Sequence, residues 1–137
     1  MSDEIDAIRE RYSTAQTFKF GDSRSLCMHL LSLVRSGRKT ATCSALRDIQ
    51  IGEPMPAIGR RDIALDWDGA PALVIETTEL IQCRFSEVTE PMALAEGENE
   101  SLDEWRTGHR RYLERNGGFS PDMQILWERF ILIENLS

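Results

Sequence analysis

The feature that most constrains the fold is a tight turn signal between two β-type segments in the middle of the chain. Residues 62–67 alternate in character, with Ile63, Leu65 and Trp67 on one face, and residues 72–81 form a second β-rich segment. Asp68-Gly69 lies between them, and Asp-Gly is favoured in two-residue hairpin turns because both central positions need a positive φ. The sequence therefore predicts an antiparallel β-hairpin.

Apolar residues at helical spacing predict two helices before this hairpin. The first stripe predicts a helix over residues 3–15. The second predicts a helix that begins after an N-cap at Asp22 or Ser23. It ends at Gly37, because glycine suits the left-handed conformation that commonly follows a helix.

The remaining segments mix strands with helices. Strands are predicted at residues 18–20, 39–45 and 125–134, and the glycines and prolines of residues 46–60 predict a long connection. A short helix is expected around residues 92–96. Because strands and helices do not alternate as βα units, the pattern predicts an α+β fold with a mostly antiparallel sheet or small barrel.

The last predicted helix begins with a strong start signal. Ser101 and Glu104 have the spacing of a capping box, in which each residue satisfies a free backbone N–H group of the other. Trp105 and His109 follow on one stripe of this helix, together with other apolar residues. Packing in the core is therefore the simplest explanation of this stripe.

Length and composition favour one ordinary globular domain. The chain has 137 residues, of which 41% are hydrophobic and 28% charged. No apolar run approaches the roughly 18 residues of a membrane helix, and the acidic N-terminus lacks a signal-peptide core. Cys27, Cys43 and Cys83 are odd in number and widely spaced, which is typical of reduced thiols. These features predict a cytoplasmic protein with no membrane partner.

Charge is unevenly distributed along the chain. The net charge of −7 disfavours non-specific binding to nucleic acid or to anionic membranes. Residues 35–61 nevertheless hold six cations against two anions, whereas residues 66–104 hold eleven anions against one cation. Residues 106–115 are basic again. The pattern is explained either by ion pairs between neighbouring elements or by a basic face that attracts an anion such as RNA phosphate.

Metal-binding signals are weak, and the sequence predicts no metal site. The two histidines, His29 and His109, lie in separate predicted helices without a Cys-x-x-Cys or His-x-x-x-His pattern. Carboxylates at Glu96, Glu98 and Glu100 could hold Mg²⁺ or Mn²⁺. They also lie just before a helix, where negative charge is favourable without any metal.

One segment stands out as a candidate for chemistry. Residues 37–44 place two cations and three hydroxyl groups where a helix is predicted to give way to a strand. The simpler interpretation is a basic helix end followed by a threonine-rich strand. The functional interpretation is a lysine and a hydroxyl that converge on a small polar substrate.

Six linked motifs within residues 18–134 resemble those of the ASCH domain family. They are Gly37-Arg38-Lys39-Thr40-Ala41-Thr42, Gly52-Glu53-Pro54-Met55-Pro56, Ile75-Glu76-Thr77, Phe85-Ser86-Glu87-Val88, Ala95-Glu96-Gly97-Glu98 and Ser101-Leu102-Asp103-Glu104-Trp105. The resemblance implies a PUA-like fold, a small β-barrel with helices packed around its mouth. It also implies a single domain over residues 1–137, with residues 1–17 as an N-terminal helical extension.

The resemblance further implies a link to RNA and its components. Some small members of this family deacylate 4-acetylcytidine, and others are described as ribonucleases acting on single-stranded RNA. In the deacylating members a lysine, a threonine three residues later and a glutamate in the acidic motif are catalytic, which correspond here to Lys39, Thr42 and Glu98. We therefore expect an RNA-related hydrolase, with Mg²⁺ or Mn²⁺ as cofactor if it is a ribonuclease. The alternative is a non-catalytic module that binds RNA or a nucleotide.

Amide hydrolysis by these three residues makes demands on the lysine. In the simplest scheme Thr42 attacks, Lys39 takes its proton and Glu98 passes a proton to the leaving amine. A lysine with its ordinary pKa near 10.4 is almost fully protonated at pH 7, so a basic lysine needs burial or a cationic neighbour such as Arg38. If Glu98 is charged beside Lys39, the lysine instead stays cationic and clamps an oxyanion or phosphate. Glu98 then becomes the candidate base.

Strand geometry limits how the nucleophile is placed. Residues three apart on a regular strand face opposite sides, so Lys39 and Thr42 meet only if Lys39 lies in the turn or a bulge intervenes. Thr40 is therefore a reserve nucleophile, and Ser44 shares a strand face with Thr42.

Substrate-binding candidates follow from the rival functions. In a binding module Arg38 and Lys39 would hold phosphate, and Trp67 or Trp105 would stack on a base, although core packing explains a tryptophan as readily. In a phosphodiesterase Glu96 and Glu98 would act together with the lysine.

Overall fold

A computed structural model describes residues 2–13, 15–50 and 55–136. Its elements are α1 (Ser2–Arg11), β1 (Thr17–Lys19), α2 (Arg24–Arg35), β2 (Ala41–Ala45), α3 (Leu46–Gln50), β3 (Arg61–Leu65), β4 (Pro71–Arg84), a 3₁₀ turn (Phe85–Glu87), α4 (Glu90–Ala95), α5 (Leu102–Arg115) and β5 (Gln124–Asn135).

One curled sheet organises these elements. The five strands run in the order β1-β3-β4-β5-β2, so β1 and β2 form the two edges. All neighbouring strands are antiparallel except β1 and β3, which are parallel. The sheet forms a half-barrel with flanking helices, which confirms the predicted α+β class and PUA-like architecture.

The predicted hairpin is present at the centre of the sheet. β3 pairs with the first half of β4, and Gly69 takes a φ of 92° in the turn between them. The turn is longer than the two-residue type, because residues 66–70 connect the strands and Asp68 does not have a positive φ. Two backbone N–H groups of the turn, those of Asp68 and Ala70, donate to the Asp66 carboxylate. β4 then continues past the hairpin and pairs with β5 along most of its length.

Helix α2 packs on one face of the sheet, and its ends follow from sequence. Ser23 is the N-cap, because its hydroxyl accepts the Leu26 N–H at 3.2 Å. Gly37 follows the helix with a φ of 82°, as predicted. The buried face of α2 contributes Cys27 and four further residues to a core that also contains Phe130 of β5.

Helix α5 packs against a second core beside β2 and β5. Ser101 is its N-cap, with the Ser101 hydroxyl accepting the Glu104 N–H at 3.1 Å. The predicted capping box is not completed, because the Glu104 carboxylate accepts the Glu100 N–H at 3.0 Å instead of that of Ser101. Trp105 is fully buried and stacks on Phe85 with 5.1 Å between ring centroids. This core also holds Trp127 of β5.

The structure departs from the sequence expectations at several boundaries. Residues 46–60 were expected to be a connection throughout, but residues 46–50 form α3 because Leu46 and Ile49 are buried. Gly52, Glu53 and Pro54 lie outside the described residues. The first helix ends at residue 11 rather than 15, and residues 39–40 precede β2 rather than belonging to it.

The described cysteines, Cys27, Cys43 and Cys83, are free thiols. Across the described part of the chain, no helix has both the length and the apolar character that crossing a membrane requires.

Candidate active site

A cavity of about 350 Å³ lies beside the two edge strands of the curled sheet. Both edge strands border it, with the end of β1 on one side and β2 on the other. Helices α2 and α5 and the loop after α4 complete the wall. The lining residues are Phe18–Gly21, Leu26, Leu30, Lys39, Thr42–Ser44, Glu96, Glu98, Asn99, Gly108, His109, Tyr112 and Arg115.

Lys39 is buried in the wall and fully hydrogen-bonded. The residue is 2% exposed. Its Nζ donates to the Ala41 carbonyl at 2.9 Å, the Glu96 carbonyl at 3.4 Å and Glu98 Oε2 at 3.0 Å. Three acceptors surround three protons, so the geometry fits an ammonium group rather than a neutral amine.

Glu96 is buried in the wall, and both of its carboxylate oxygens have hydrogen-bond partners. Its Oε2 accepts from the Trp105 indole Nε1 at 2.7 Å, and its Oε1 lies 3.2 Å from His109 Nε2. Lys39 Nζ is 3.9 Å from the same Oε1. A carboxylate that is 1% exposed and has these partners is compensated, which is the condition for burying a charge.

His109 faces oxygen atoms on both ring nitrogens. Its Nδ1 lies 3.0 Å from the Trp105 carbonyl, and its Nε2 faces Glu96. Burial lowers the pKa of His109, but the hydrogen bond to Glu96 and the charges of Glu96 and Glu98 outweigh it, so that the pKa is raised. We call Glu98, Lys39, Glu96 and His109, which alternate in charge in this order, the charged row.

The backbone that carries the charged row is held by two close approaches. The Thr40 N–H and hydroxyl both donate to the Ala95 carbonyl, at 2.8 Å and 3.1 Å. Gly97 has a φ of 77° and packs so closely on the Arg38 carbonyl that a Cβ would overlap it. The segment before β2 and the loop after α4 are therefore fixed to each other at the row.

Five of the residues singled out from sequence line the same cavity: Lys39, Thr42, Ser44, Glu96 and Glu98. Lys39 precedes β2, so the opposite-face rule for a regular strand does not separate it from Thr42. The roles given to these residues remain predictions.

The structure places the other four candidates elsewhere. Arg38 is exposed and Thr40 is engaged with Ala95, and neither borders the cavity. Trp67 packs at the edge of the α2 core with Lys19 Nζ 5.2 Å from its ring centroid. Trp105 is 0% exposed, so its ring holds Glu96 and has no face open to a base.

Sequence reasoning gave no role to several residues of the wall. Core packing explains the stripe that contains His109, Cys43 is predicted only to be a reduced thiol, and neither Tyr112 nor Arg115 is singled out. The available signal was the spacing of Trp105 and His109, one turn apart on the helix that begins after Ser101. Their rings stack with centroids 4.2 Å apart.

A metal ion fits this arrangement poorly. Within the described residues, Cys43, Glu96 and His109 bring ligand atoms within 4.8 Å of one another. However, both Glu96 oxygens and His109 Nε2 are engaged in hydrogen bonds, and the Lys39 ammonium opposes a second cation. Burial, together with the Glu96 charge, raises the pKa of the Cys43 thiol well above its usual value, which disfavours the thiolate ligand.

The three carboxylates considered for Mg²⁺ or Mn²⁺ lie in different environments. Glu98 is paired with Lys39, Glu96 is enclosed, and Glu100 is exposed. They form no shared carboxylate face.

Fold and cavity together define a PUA-like domain, and comparisons with known proteins narrow this class. The family model of the ASCH domain matches residues 16–134. The crystal structure of an ASCH domain from Lactobacillus crispatus is 30% identical, with a TM-score of 0.81 over 92% of this chain and 84% of that one. Protein EF3133 from Enterococcus faecalis is also 30% identical, with a TM-score of 0.83 over 98% and 88% of the two chains.

A mutant of the ZmASCH protein from Zymomonas mobilis shares the fold alone, at 12% identity and a TM-score of 0.51 over 80% and 70% of the two chains. No curated protein matched the sequence. The chain belongs to the ASCH domain family, a PUA-like family associated with RNA binding.

Proposed function

We propose that the protein is a hydrolase that cleaves the amide bond of an acylated cytidine bound in the cavity. The observation that carries the proposal is the 3.0 Å contact between Lys39 Nζ and Glu98 Oε2 in a wall that Thr42 also lines. An ammonium, a carboxylate and a hydroxyl around one hollow are the groups that acyl transfer requires.

The contacts of the lysine favour one division of roles. Because Lys39 donates to three oxygens, it acts as a fixed positive charge that stabilises the oxyanion formed when the carbonyl is attacked. Glu98 is the less buried partner, with 21% of its side chain exposed, and serves as the base that removes the proton of the Thr42 hydroxyl.

The cavity suits a nucleoside better than a polymer. Its volume falls in the range of small-molecule sites, roughly 300–1,000 Å³. Phe18 and Tyr112 border it and supply aromatic faces for a base. Arg115, a cation of the lining, is already paired with Asp22 at 3.1 Å, which weakens the case for a phosphate backbone along this wall.

The test is product release from 4-acetylcytidine. The wild-type protein should release cytidine and acetate, and Glu98→Gln should lower kcat/KM by about 10²–10⁴-fold. Thr42→Val should lose the activity and Thr42→Ser should retain part of it. Glu79→Gln is the matched control, because Glu79 is also paired with a cation, Arg129 at 3.0 Å, but lies on the exposed surface.

Other functions predict other results in the same assay. Cleavage of single-stranded RNA that EDTA prevents would instead identify a metal-dependent ribonuclease. Binding of 4-acetylcytidine or RNA without any product would identify a binding module. Full turnover by both Glu98→Gln and Lys39→Met would remove the proposed site.

A further inference from the structure

All four residues of the charged row border the cavity, but only the two at its ends have accessible side chains. Glu98 and His109 have side chains that are 21% and 17% exposed, whereas the interior members Lys39 and Glu96 are each 1% exposed. The row therefore presents a carboxylate at one end and an imidazole at the other. A buried ion pair joins the two.

The hydrogen bonds of His109 fix where its protons lie. A carbonyl oxygen only accepts, so Nδ1 carries a proton and donates it to the Trp105 carbonyl. A second proton lies between Nε2 and Glu96 Oε1, because two lone pairs facing each other at 3.2 Å would repel. Lys39 on the other side of Glu96 favours the carboxylate, so that this second proton belongs to the imidazolium.

We propose that His109 is the proton donor to the leaving nitrogen in the hydrolysis, opposite Glu98 as the base. This inference rests on the proposed function. It assigns the acid and the base to the two accessible ends of one hydrogen-bonded row. The raised pKa of His109 agrees with this assignment.

In the first half-reaction, a bond forms between Thr42 Oγ1 and the acyl carbon, and the carbon–nitrogen bond breaks. The Thr42 proton goes to Glu98, and the His109 Nε2 proton goes to the leaving nitrogen. In the second half, water oxygen bonds to the acyl carbon and the ester bond to Thr42 breaks. One water proton returns to His109, and the Glu98 proton returns to Thr42, so that both groups regain their starting states.

The charges around the imidazole come from several elements. Glu96 and Glu98 act on it from the loop after α4, and the neutral Cys43 thiol of β2 lies close to it. Lys39, Tyr112 and Arg115 border the same cavity. The carboxylates dominate this set and favour the imidazolium, which is lost as pH rises. Wild-type activity on an amide should therefore decline on the alkaline side.

The test compares two leaving groups in His109→Gln, whose amide can still donate to Glu96 but cannot transfer a proton. On 4-acetylcytidine, whose leaving nitrogen needs a proton, kcat should fall about 100-fold or more. On p-nitrophenyl acetate, whose leaving phenolate needs none, the rate of the first p-nitrophenolate release reports the first half-reaction alone, and its loss should be at least about tenfold smaller than the loss on the amide. The alkaline decline should disappear from the variant's residual amide activity.

Equal losses on both substrates, in a variant that circular dichroism shows to be folded at the assay temperature, would show that His109 only positions the row and would overturn the proposal. Nitrogen-15 NMR of the imidazole in a His29→Gln background gives a second, activity-independent measurement, because only His109 then remains. Two protonated ring nitrogens at pH 7 are expected, and a neutral ring would also overturn the proposal. A wild-type protein that turns over neither substrate refutes the hydrolase function itself, which is a distinguishable result.

Discussion

Two ion pairs of this molecule have similarly short distances and opposite surroundings. Arg24 and Asp68 join the start of α2 to the hairpin turn at 2.6 Å, and their side chains are 60% and 62% exposed. Lys39 and Glu98 join the two sides of the cavity wall at 3.0 Å, with 1% and 21% exposure. Distance alone would rank the surface pair first.

Burial reverses that ranking. Exposed pairs gain little because water solvates both partners when they separate and salt screens their attraction. Water cannot solvate a buried charge in this way, so removing its partner leaves the charge uncompensated. The charged row is therefore expected to couple stability to activity, whereas the surface pair should affect neither.

The largest expected effect is that of Lys39→Met. The substitution leaves Glu96 and Glu98 without their shared cation, and should lower the free energy of unfolding by about 3–5 kcal/mol and abolish hydrolysis. Urea denaturation measures the loss. The double variant Lys39→Met with Glu98→Gln should recover part of it because one orphaned charge is gone, and strictly additive losses would contradict coupling within the row.

The sequence predicted the secondary-structure elements better than it predicted the charged row. The hairpin at Gly69, the Ser23 and Ser101 caps and Gly37 all act through neighbours within a few residues, and all are confirmed. Helix α3 was missed because Leu46 and Ile49 are buried only through tertiary contacts, which no local pattern shows.

The candidate site likewise contains residues that the sequence identified and residues that only the structure brings together. Lys39, Thr42 and Glu98 came from the family resemblance. The link between Glu96, Trp105 and His109 needs three side chains from a loop and a helix to meet in three dimensions. An apolar stripe that contains a tryptophan and a histidine is as readily explained by core packing, and only the hydrogen bonds distinguish the two interpretations.

A smaller loss of stability is expected from Gly97→Ala. A Cβ at this position would overlap the Arg38 carbonyl in a backbone conformation that already disfavours L-residues. We expect a loss of about 2–4 kcal/mol in urea denaturation and reduced activity, because the loop carries both glutamates of the row.

Gly59→Ala is the matched control for this substitution. Gly59 has a similar φ of 88° but nothing within 4 Å of an added Cβ, so only the backbone strain of about 1–2 kcal/mol remains. If both variants lose the same stability, the close approach of Gly97 to Arg38 contributes nothing.

The contribution of the buried His109–Glu96 pair to stability should depend on pH. Although burial lowers the pKa of His109, the hydrogen bond and charge of Glu96 raise it above the usual value of 6.5. A raised pKa means that the stability from the protonated pair is fully present below the unfolded-state pKa and is lost as pH rises through the folded-state pKa. Urea midpoints should decline above about pH 6.5 in wild type, and this part of the decline should be absent from His109→Gln. A wild-type decline that the variant shares would assign it to other groups.

The smallest expected effect is that of Asp68→Asn on the surface pair. The Arg24 guanidinium hydrogen-bonds to Asp68 and lowers the pKa of that carboxyl, so the interaction exists at neutral pH. The conformational entropy lost in ordering the two exposed side chains offsets the electrostatic attraction of the pair. The urea midpoint of Asp68→Asn should therefore match that of wild type. Added salt should not separate the two proteins either. Asn also suits the turn, so that its geometry is preserved. A loss approaching that of Lys39→Met would show that the distance between the charges, rather than their burial, sets the contribution of an ion pair in this protein.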